Sequence, residues 1–213
     1  RYNKSLLHLS PTIAVINNID FEHIECYNDI DDLKDTFLQF ANSVPFYGTV
    51  CACKDSNNVA SILSKIDKPV ITYGIESQNL DIKAENLHQE NGTISFDVKV
   101  KDQIFSVNLS VPGKYNAYNA LAALSVCETM GIDLESACKA LSNFSGVKRR
   151  FDIKANKDIM IIDDYAHHPV EVQNVIETVK SNWNKNLNVI FQPHLFSRTK
   201  EFYRDFAKAL MIA

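Results

Sequence analysis

Short apolar runs alternate with amphipathic stretches in the first third of the chain, and this pattern predicts strands that alternate with helices. The runs Pro11–Asn17, Gly48–Cys53 and Val70–Tyr73 contain several β-branched residues and are predicted strands. Between them, residues 31–41 and 57–66 carry apolar side chains at helical spacing. Because strands that alternate with helices form parallel sheets, we expect an α/β fold with a parallel sheet.

The pattern changes between Leu80 and Val111, where apolar and polar residues alternate one by one. Asn91–Gly92 interrupts the alternation, and an Asn-Gly pair between alternating runs indicates a β-hairpin. We therefore predict an antiparallel meander after the parallel strands. Ala117–Met130, apolar almost all round, is a predicted buried helix, and Leu134–Leu141 is a predicted shorter helix.

A second alternation of strands and helices begins after the basic segment Gly146–Arg150, which we take as a domain boundary. The apolar runs Ile159–Ile162 and Leu187–Phe191 are predicted strands. The stretches Pro169–Lys180 and Lys200–Met211 are predicted helices, and proline suits the first position of a helix. The chain is therefore predicted to contain two α/β domains, residues 1–147 and 148–213.

Composition narrows the class of protein. The 213 residues are 46% hydrophobic and 23% charged, as in ordinary globular proteins, and the net charge of −4 argues against a nucleic-acid partner. No apolar run is long enough to cross a bilayer, and no secretory signal is recognisable, so we expect no membrane partner. Cysteines in apolar surroundings indicate a reducing, cytoplasmic location.

Two features indicate a piece of a longer protein. The chain starts at Arg1 rather than at methionine, and it stops at Ala213 inside an apolar helical pattern. The six glycines are never closer than 15 positions, whereas a phosphate-binding loop needs several glycines within a few residues. If the protein uses ATP, we therefore expect the phosphate loop outside this chain.

The candidate chemistry is concentrated in the segment that follows the predicted strand Ile159–Ile162. Asp163 and Asp164 are followed by Tyr165, His167 and His168, where ligands bind in open α/β sheets. One of the two aspartates could only cap or turn the chain. Two acids and two imidazoles together nevertheless favour a functional site.

Polar side chains also follow the predicted strand Leu187–Phe191. There, His194 precedes Arg198, which could hold a substrate carboxylate or could only cap the next helix. At the start of the buried helix, Asn116 and Asn119 lie one turn apart. A helix N-terminus suits a phosphate or a nucleotide base, although Asn116 could simply be the helix cap.

Two more positions have open alternatives. His23 follows Asp20 and Glu22 in a polar loop, which could bind a divalent cation or could only be solvated. Arg150 lies at the predicted domain boundary, where it could hold a ligand between domains or belong to a solvated linker.

Five segments, in this order, resemble the Mur ligase family, the ATP-dependent amide-forming enzymes of peptidoglycan precursor synthesis. They are Asn17–His23, Gly113–Asn119, Gly146–Phe151, Asp163–Pro169 and Phe191–Thr199. The resemblance implies that residues 1–147 are the rear of a central ATP-binding domain. It also implies that residues 148–213 begin a Rossmann-like C-terminal domain, and that this chain alone does not turn over ATP.

The resemblance implies roles on the nucleotide side. His23 would hold Mg²⁺, Asn116 and Asn119 would contact adenine, and Arg150 would reach the phosphates. Asp164 would bind the nucleotide near its ribose. On this basis His23 and Arg150 are expected to be catalytic, together with His167.

The resemblance also implies an amino-acid site. Tyr165, His167, His194 and Arg198 would surround the incoming amino acid, with Arg198 on its carboxylate. Leu195 stands where many members of the alanine-adding branch have a second arginine.

The implied reaction joins L-alanine to the muramyl carboxylate of UDP-N-acetylmuramate through an acyl phosphate, with ATP and Mg²⁺, in a monomer or weak homodimer. The alternatives are a recycling ligase that attaches a whole tripeptide to the same sugar, a more remote folate-polyglutamate ligase, and a non-catalytic nucleotide-binding module.

Overall fold

The structure is a computed structural model that describes residues 4–21 and 27–213. The chain divides into two compact units. The first unit contains residues 1–86, 97–106 and 118–139, and the second contains residues 87–96, 107–117 and 140–213.

Six strands form one sheet in which the spatial order follows the chain order. They are β1 (Ile13–Ile16), β2 (Thr49–Cys53), β3 (Val70–Gly74), β4 (Ile82–Glu90), β5 (Thr93–Val100) and β6 (Gln103–Leu109). Strands β1 to β4 pair in parallel. Two-residue turns join β4 to β5 and β5 to β6, which makes the last three strands antiparallel neighbours. The predicted parallel sheet and meander are confirmed.

The predicted Asn91–Gly92 hairpin is confirmed by its backbone. Both residues have positive φ, 51° at Asn91 and 84° at Gly92, as the two central positions of a type I′ turn require. This turn suits the right-handed twist of the two strands that it joins.

The helices differ from the prediction mainly at their ends. They are α1 (Ile30–Asn42), α2 (Asn57–Ala60), α3 (Lys114–Thr129), α4 (Leu134–Leu141), α5 (Pro169–Asn182) and α6 (Phe196–Leu210), with 3-10 turns at Ser5–His8 and Leu63–Lys65. The single helix predicted for residues 57–66 is wrong, because the Ser61 hydroxyl bonds the Asn58 carbonyl oxygen and competes with the helix ladder. Across residues 4–21 and 27–213, no helix combines the length and the apolar character needed to cross a bilayer.

The core of the first unit lies between the parallel strands and their helices. Leu33 and Phe40 of α1 are buried against Ile16 and Val50, and Phe37 packs beside them. Helix α3 is buried only in part: Leu121 and Leu124 are inaccessible, whereas Asn119 and Ala123 are exposed, so the prediction of a buried helix holds for one face. The apolar periodicity of α1 indicated its buried face correctly.

In the second unit, a hairpin pairs β7 (Asp152–Asn156) with β8 (Met160–Asp163) in antiparallel register. Strand β8 was predicted within one residue, but β7 was not predicted. The strand predicted at Leu187–Phe191 is wrong, since this segment is not a strand. Its Leu187 and Phe191 pack instead against Ile176 of α5 and Phe206 of α6. The rest of the run is not buried, since Val189 and Ile190 are exposed. Periodicity alone does not distinguish a buried strand from such a segment.

A carboxylate ties three elements of the first unit together. Asp55, directly after β2, accepts the backbone N–H groups of Ile75 (2.6 Å), Glu76 (2.9 Å) and Ser77 (2.8 Å) after β3. It also accepts the hydroxyl of Tyr118 on α3 at 2.9 Å. Burial favours the neutral carboxyl, but the hydrogen bonds from the side chain of Ser77 and from these N–H groups outweigh it. They lower the pKa of Asp55 to about 2.

We predict that Asp55→Asn lowers the free energy of unfolding at pH 7 by about 2 kcal/mol, as expected for loss of charged hydrogen bonds. The pKa of Asp55 is lowered in the folded state, so its contribution is fully present above the unfolded pKa of about 3.9. The contribution disappears as the pH falls from there towards about 2. Urea unfolding at pH 7 and at lower pH measures both effects.

The matched control is Asp102→Asn, which changes an exposed aspartate in the β5–β6 turn. Equal losses of unfolding free energy in the two variants at pH 7 would contradict the role of Asp55.

Candidate functional site

The segment before β7 has an unusual backbone. Arg149 and Phe151 have positive φ values of 58° and 49°, which are uncommon for residues other than glycine. The buried Phe151 ring stacks on Trp183 with ring centroids 5.8 Å apart, and Arg150 donates its N–H to the Val147 carbonyl oxygen at 3.0 Å. These contacts fix the main chain around Arg149 and Arg150.

Asp164 joins this segment to the end of β8. Its carboxylate accepts the backbone N–H groups of Phe151 and Ala166, both at 2.7 Å. Tyr165 donates its own N–H to the carbonyl oxygen of Arg149 at 2.8 Å. The side chains that follow β8 therefore lie beside Arg149 and Arg150, although 13 residues separate Phe151 from Asp164.

The N-terminal turn of α3 lies close to the same charges. Burial, together with the negative charge of Asp164, raises the pKa of Tyr115 to about 12, while the positive charge of Arg150 acts in the opposite direction. Gly113 has a φ of 101°, and a Cβ atom there would come within 2.5 Å of the Tyr115 ring. A glycine is therefore required where the chain turns into α3.

An aromatic and imidazole cluster follows β8. The rings of Tyr165 and His167 have centroids 4.9 Å apart, and those of His167 and His194 have centroids 6.3 Å apart. Nδ1 of His167 lies 2.8 Å from the Tyr165 carbonyl oxygen. A carbonyl oxygen only accepts, so Nδ1 carries the hydrogen and Nε2 of a neutral His167 keeps a lone pair.

Glu171 organises the start of α5. Its Oε2 accepts the backbone N–H groups of His167 (2.9 Å) and His168 (3.3 Å) and lies 3.5 Å from Nδ1 of His167. Its Oε1 lies 3.6 Å from Nη1 of Arg150. The Glu171 carboxylate therefore accepts hydrogen bonds from free N–H groups at the start of α5. It also places a negative charge between His167 and Arg150.

The aromatic and imidazole cluster borders a cavity of about 510 Å³ within the second unit. Its apolar wall comes from α5 and from residues 187–191. Its polar lining is Arg149, Asp163, Asp164, Tyr165, His167, Asn188, Gln192 and His194. The cavity can therefore accept a small ligand that carries both charged and apolar groups.

The structure brings together five of the side chains predicted to be functional. Tyr165, His167 and His194 form the cluster, and Asp164 lines the same cavity. Cζ of Arg150 lies 6.0 Å from the centre of the Tyr165 ring. All five residues belong to the second unit.

The other predicted residues lie elsewhere or are not described. Asn116 is the third residue of α3 rather than its cap, and its Nδ2 donates to the Pro112 carbonyl oxygen at 2.7 Å. Asn119 belongs to the first unit, where its Oδ1 accepts from Asn17 at 3.3 Å. Arg198, in the first turn of α6, is only 7% exposed.

His23 lies outside the described residues, so its predicted role as a Mg²⁺ ligand stays a prediction. In the part of the chain that the structure describes, no group of three histidine, cysteine, aspartate or glutamate side chains is arranged to hold a metal ion.

Three residues of the site were not predicted: Arg149, Glu171 and Tyr115. Arg149 was visible only as a member of a basic run, and its position depends on a positive φ that the sequence does not reveal. The role of Glu171 could have been predicted from the sequence, because an acid three residues after a helix cap often bonds the free backbone N–H groups.

Comparison with known proteins assigns the class. The family model of the Mur ligase middle domain matches residues 2–127, and that of the Mur ligase, glutamate ligase domain matches residues 149–213. The chain therefore belongs to the Mur ligase family.

Individual members of the family are also similar to this chain. The chain is 42% identical to the UDP-N-acetylmuramate–L-alanine ligase of Geotalea uraniireducens over 96% of this chain and 45% of the relative. The crystal structure of the UDP-N-acetylmuramate-alanine ligase of Thermotoga maritima aligns with a TM-score of 0.79 and 28% identity, over 99% of this chain and 46% of that chain. The MurF ligase of Thermotoga maritima, solved in complex with ADP, shares the fold (TM-score 0.82, 20% identity, 98% and 49% coverage). This chain thus spans less than half the length of these proteins.

We predict that Asp164→Asn and Arg150→Gln move the titration of Tyr115 in opposite directions. Removing the negative charge of Asp164 should lower the pKa of Tyr115, and removing the positive charge of Arg150 should raise it. ¹³C NMR of ring-labelled tyrosine follows the onset of ionisation over the pH range in which the fold persists.

Asp158→Asn, an exposed aspartate between β7 and β8, is the control for a general change in net charge. Shifts of the same sign in the Asp164 and Arg150 variants would refute the proximity of these charges to Tyr115.

Proposed function

We propose that the protein is an ATP-dependent ligase that joins L-alanine to the muramyl carboxylate of UDP-N-acetylmuramate through an acyl phosphate, in peptidoglycan precursor synthesis. The observation that carries the proposal is the 42% identity with a UDP-N-acetylmuramate–L-alanine ligase along 96% of this chain. The cluster of Tyr165, His167 and His194 on a cavity of suitable size supports it.

In this proposal, residues 1–147 belong to the ATP-binding domain and residues 148–213 to the amino-acid-binding domain. Asn116 and Asn119 contact adenine, Asp164 binds near the ribose and Arg150 reaches the phosphates. The electrostatic proximity of Tyr115 to Asp164 and Arg150 supports a nucleotide near the start of α3.

Arg150 is suited to phosphate in two respects. Its side chain is about half exposed (51%), so its guanidinium group is accessible to a ligand. Its contact with Glu171 is a loose ion pair at 3.6 Å, which a phosphate group could replace or share. ATP is the substrate that activates the muramyl carboxylate as an acyl phosphate, and Arg150 would stabilise negative charge on the transferring phosphoryl group.

Magnesium enters the proposal only through His23, which would help hold it. Imidazole is an uncommon Mg²⁺ ligand, so oxygen ligands would have to complete the coordination.

On the amino-acid side, Tyr165, His167 and His194 line the cavity that would hold L-alanine. Arg198 is buried and does not line that cavity, so it would have to reach the carboxylate of L-alanine from beside it. The amine must be neutral to attack the acyl phosphate. Nε2 of His167 can accept a proton from the ammonium group, because Nδ1 already donates to Tyr165. The nearby Glu171 carboxylate would stabilise the imidazolium that results. Attack of the amine then forms the amide and releases phosphate.

A cytoplasmic location and a monomeric or weakly dimeric state belong to the same proposal. The proposal also includes no nucleic-acid and no membrane partner, since the proposed substrates UDP-N-acetylmuramate, ATP and L-alanine are small molecules.

The test is a panel of amine substrates given to the full-length protein with UDP-N-acetylmuramate and ATP, with phosphate release and product mass as readouts. We expect L-alanine to be the preferred amine, above glycine, L-serine and a muramyl tripeptide. Preference for the tripeptide, or ATP hydrolysis without ligation to any amine, would contradict the proposed function.

We predict that Arg198→Ala raises the KM for L-alanine at least ten-fold and changes the KM for ATP by less than about two-fold, since only the amino acid loses a charged partner. Lys200→Ala, an exposed neighbour on α6, serves as the control. Equal increases in both KM values would contradict the carboxylate role of Arg198.

A further inference from the structure

The cavity of the second unit has a charge distribution that the proposed roles do not use. Among the described residues that line it, Arg149 is the one arginine or lysine. Arg150 and Arg198 do not line it. Residues 187–194 also line the cavity and include no lysine or arginine, and an apolar side chain, Leu195, follows them.

The main chain of Arg149 is fixed on both sides. Its N–H donates to Asp152 Oδ2 at 3.2 Å, and its carbonyl oxygen accepts from the Tyr165 N–H at 2.8 Å. Its φ of 58° is a left-handed conformation that costs free energy in a residue with a side chain. The surrounding hydrogen bonds maintain this conformation, which directs the side chain towards the end of β8.

The guanidinium group is positioned as well. Its Cζ lies 4.9 Å from the centre of the Tyr165 ring, and its Nε lies 3.7 Å from Asp163 Oδ2. The side chain is nevertheless 60% exposed. Because the Asp163 contact comes from Nε and is longer than a hydrogen bond, the two terminal amino groups remain suited to bidentate contact with a carboxylate.

An α-amino acid matches this pair of charges. Its carboxylate is complementary to Arg149, and its amino end is complementary to the carboxylate of Asp163, with His167 and Tyr165 at the same rim. We infer that Arg149 is a carboxylate-binding, specificity-determining residue of the amino-acid site, and that Asp163 and Tyr165 position its guanidinium group.

Phosphate binding is the competing use of such an arginine. The cavity favours the amino acid, because the Asp163 carboxylate, 3.7 Å from Nε of Arg149, would repel a polyanion bound to this arginine. The same carboxylate is compatible with a zwitterion. This inference rests on the proposed function for the identity of the amino acid, but not for the recognition of a carboxylate.

The first experiment combines two variants with two substrates in the full-length protein. L-alanine is compared with L-alaninamide, which has the same amine and side chain but no carboxylate. We expect Arg149→Gln to raise the KM for L-alanine about 30-fold and to change that for L-alaninamide and for ATP by less than about two-fold. Arg149→Lys keeps the charge and should recover part of the loss, and Lys148→Gln, an exposed neighbour, should have no effect.

The second experiment needs no turnover. The chain is titrated with L-alanine and with L-alaninamide while the backbone amide signals of Tyr165 and His167 are followed by NMR. Shifts that require the carboxylate, and that Arg149→Gln abolishes, are expected. If these shifts occur while the full-length protein ligates no amine, the proposed function fails and the role of Arg149 stands.

Three outcomes would overturn the inference. One is an Arg149→Gln variant with the L-alanine KM of the Lys148→Gln control. Another is an equal loss for L-alanine and L-alaninamide, together with a lowered urea midpoint, which would identify a structural role. The third is an NMR response of the parent chain that is the same for both ligands.

Discussion

The second unit depends on the two backbone N–H groups that the Asp164 carboxylate accepts, one from Phe151 and one from Ala166. This contact fixes the end of β8 against a segment that precedes β7, and it thereby brings Arg149, Arg150 and Tyr165 to one place. Charge-assisted hydrogen bonds of this kind are roughly twice as strong as neutral ones. Together with the Phe151–Trp183 stacking and the hydrogen bonds of Arg149, they compensate the positive φ values at Arg149 and Phe151.

The same device occurs in the first unit, where Asp55 accepts three consecutive backbone N–H groups after β3. In both places an aspartate at the end of a strand holds a neighbouring loop. An acid in this position is therefore not by itself evidence of catalysis. The adjacent pair Asp163–Asp164 illustrates the distinction, because Asp164 bonds the main chain whereas Asp163 faces the guanidinium group of Arg149. The sequence left open whether one of the two aspartates only turns the chain. Asp164 does bond the main chain, but a carboxylate has more lone pairs than these two N–H groups use, so it can also accept a hydrogen bond from a ligand.

Local patterns predicted those parts of the fold that local physics decides. The Asn91–Gly92 turn requires positive φ at both residues, and few other pairs accept it, so the hairpin could be predicted from two letters. The burial of Leu121 and Leu124 on α3 could likewise be predicted, although Asn119 and Ala123 of the same helix are exposed. The conformation of the segment 187–191 could not be predicted. Only Leu187 and Phe191 of this apolar run pack against the helices, whereas Val189 and Ile190 are exposed, and periodicity does not reveal this difference. The site followed the same rule: Tyr165, His167 and His194 follow apolar runs, whereas Arg149 depends on a backbone conformation set by distant hydrogen bonds.

Two buried polar atoms in the described part of the second unit have no hydrogen-bond partner, Nε2 of His168 and Nη1 of Arg198. A buried donor without a partner costs about 1–3 kcal/mol, more if it is charged, so a unit selected for stability alone would have replaced both side chains. His168 directly precedes α5 and Arg198 lies in the first turn of α6, which places each beside a segment that supplies a member of the cluster, His167 or His194. Neither side chain lines the cavity of the second unit, so the start of each helix combines a buried polar atom without a partner with a neighbouring member of the cluster, and the cost in stability falls beside the cavity rather than in its lining.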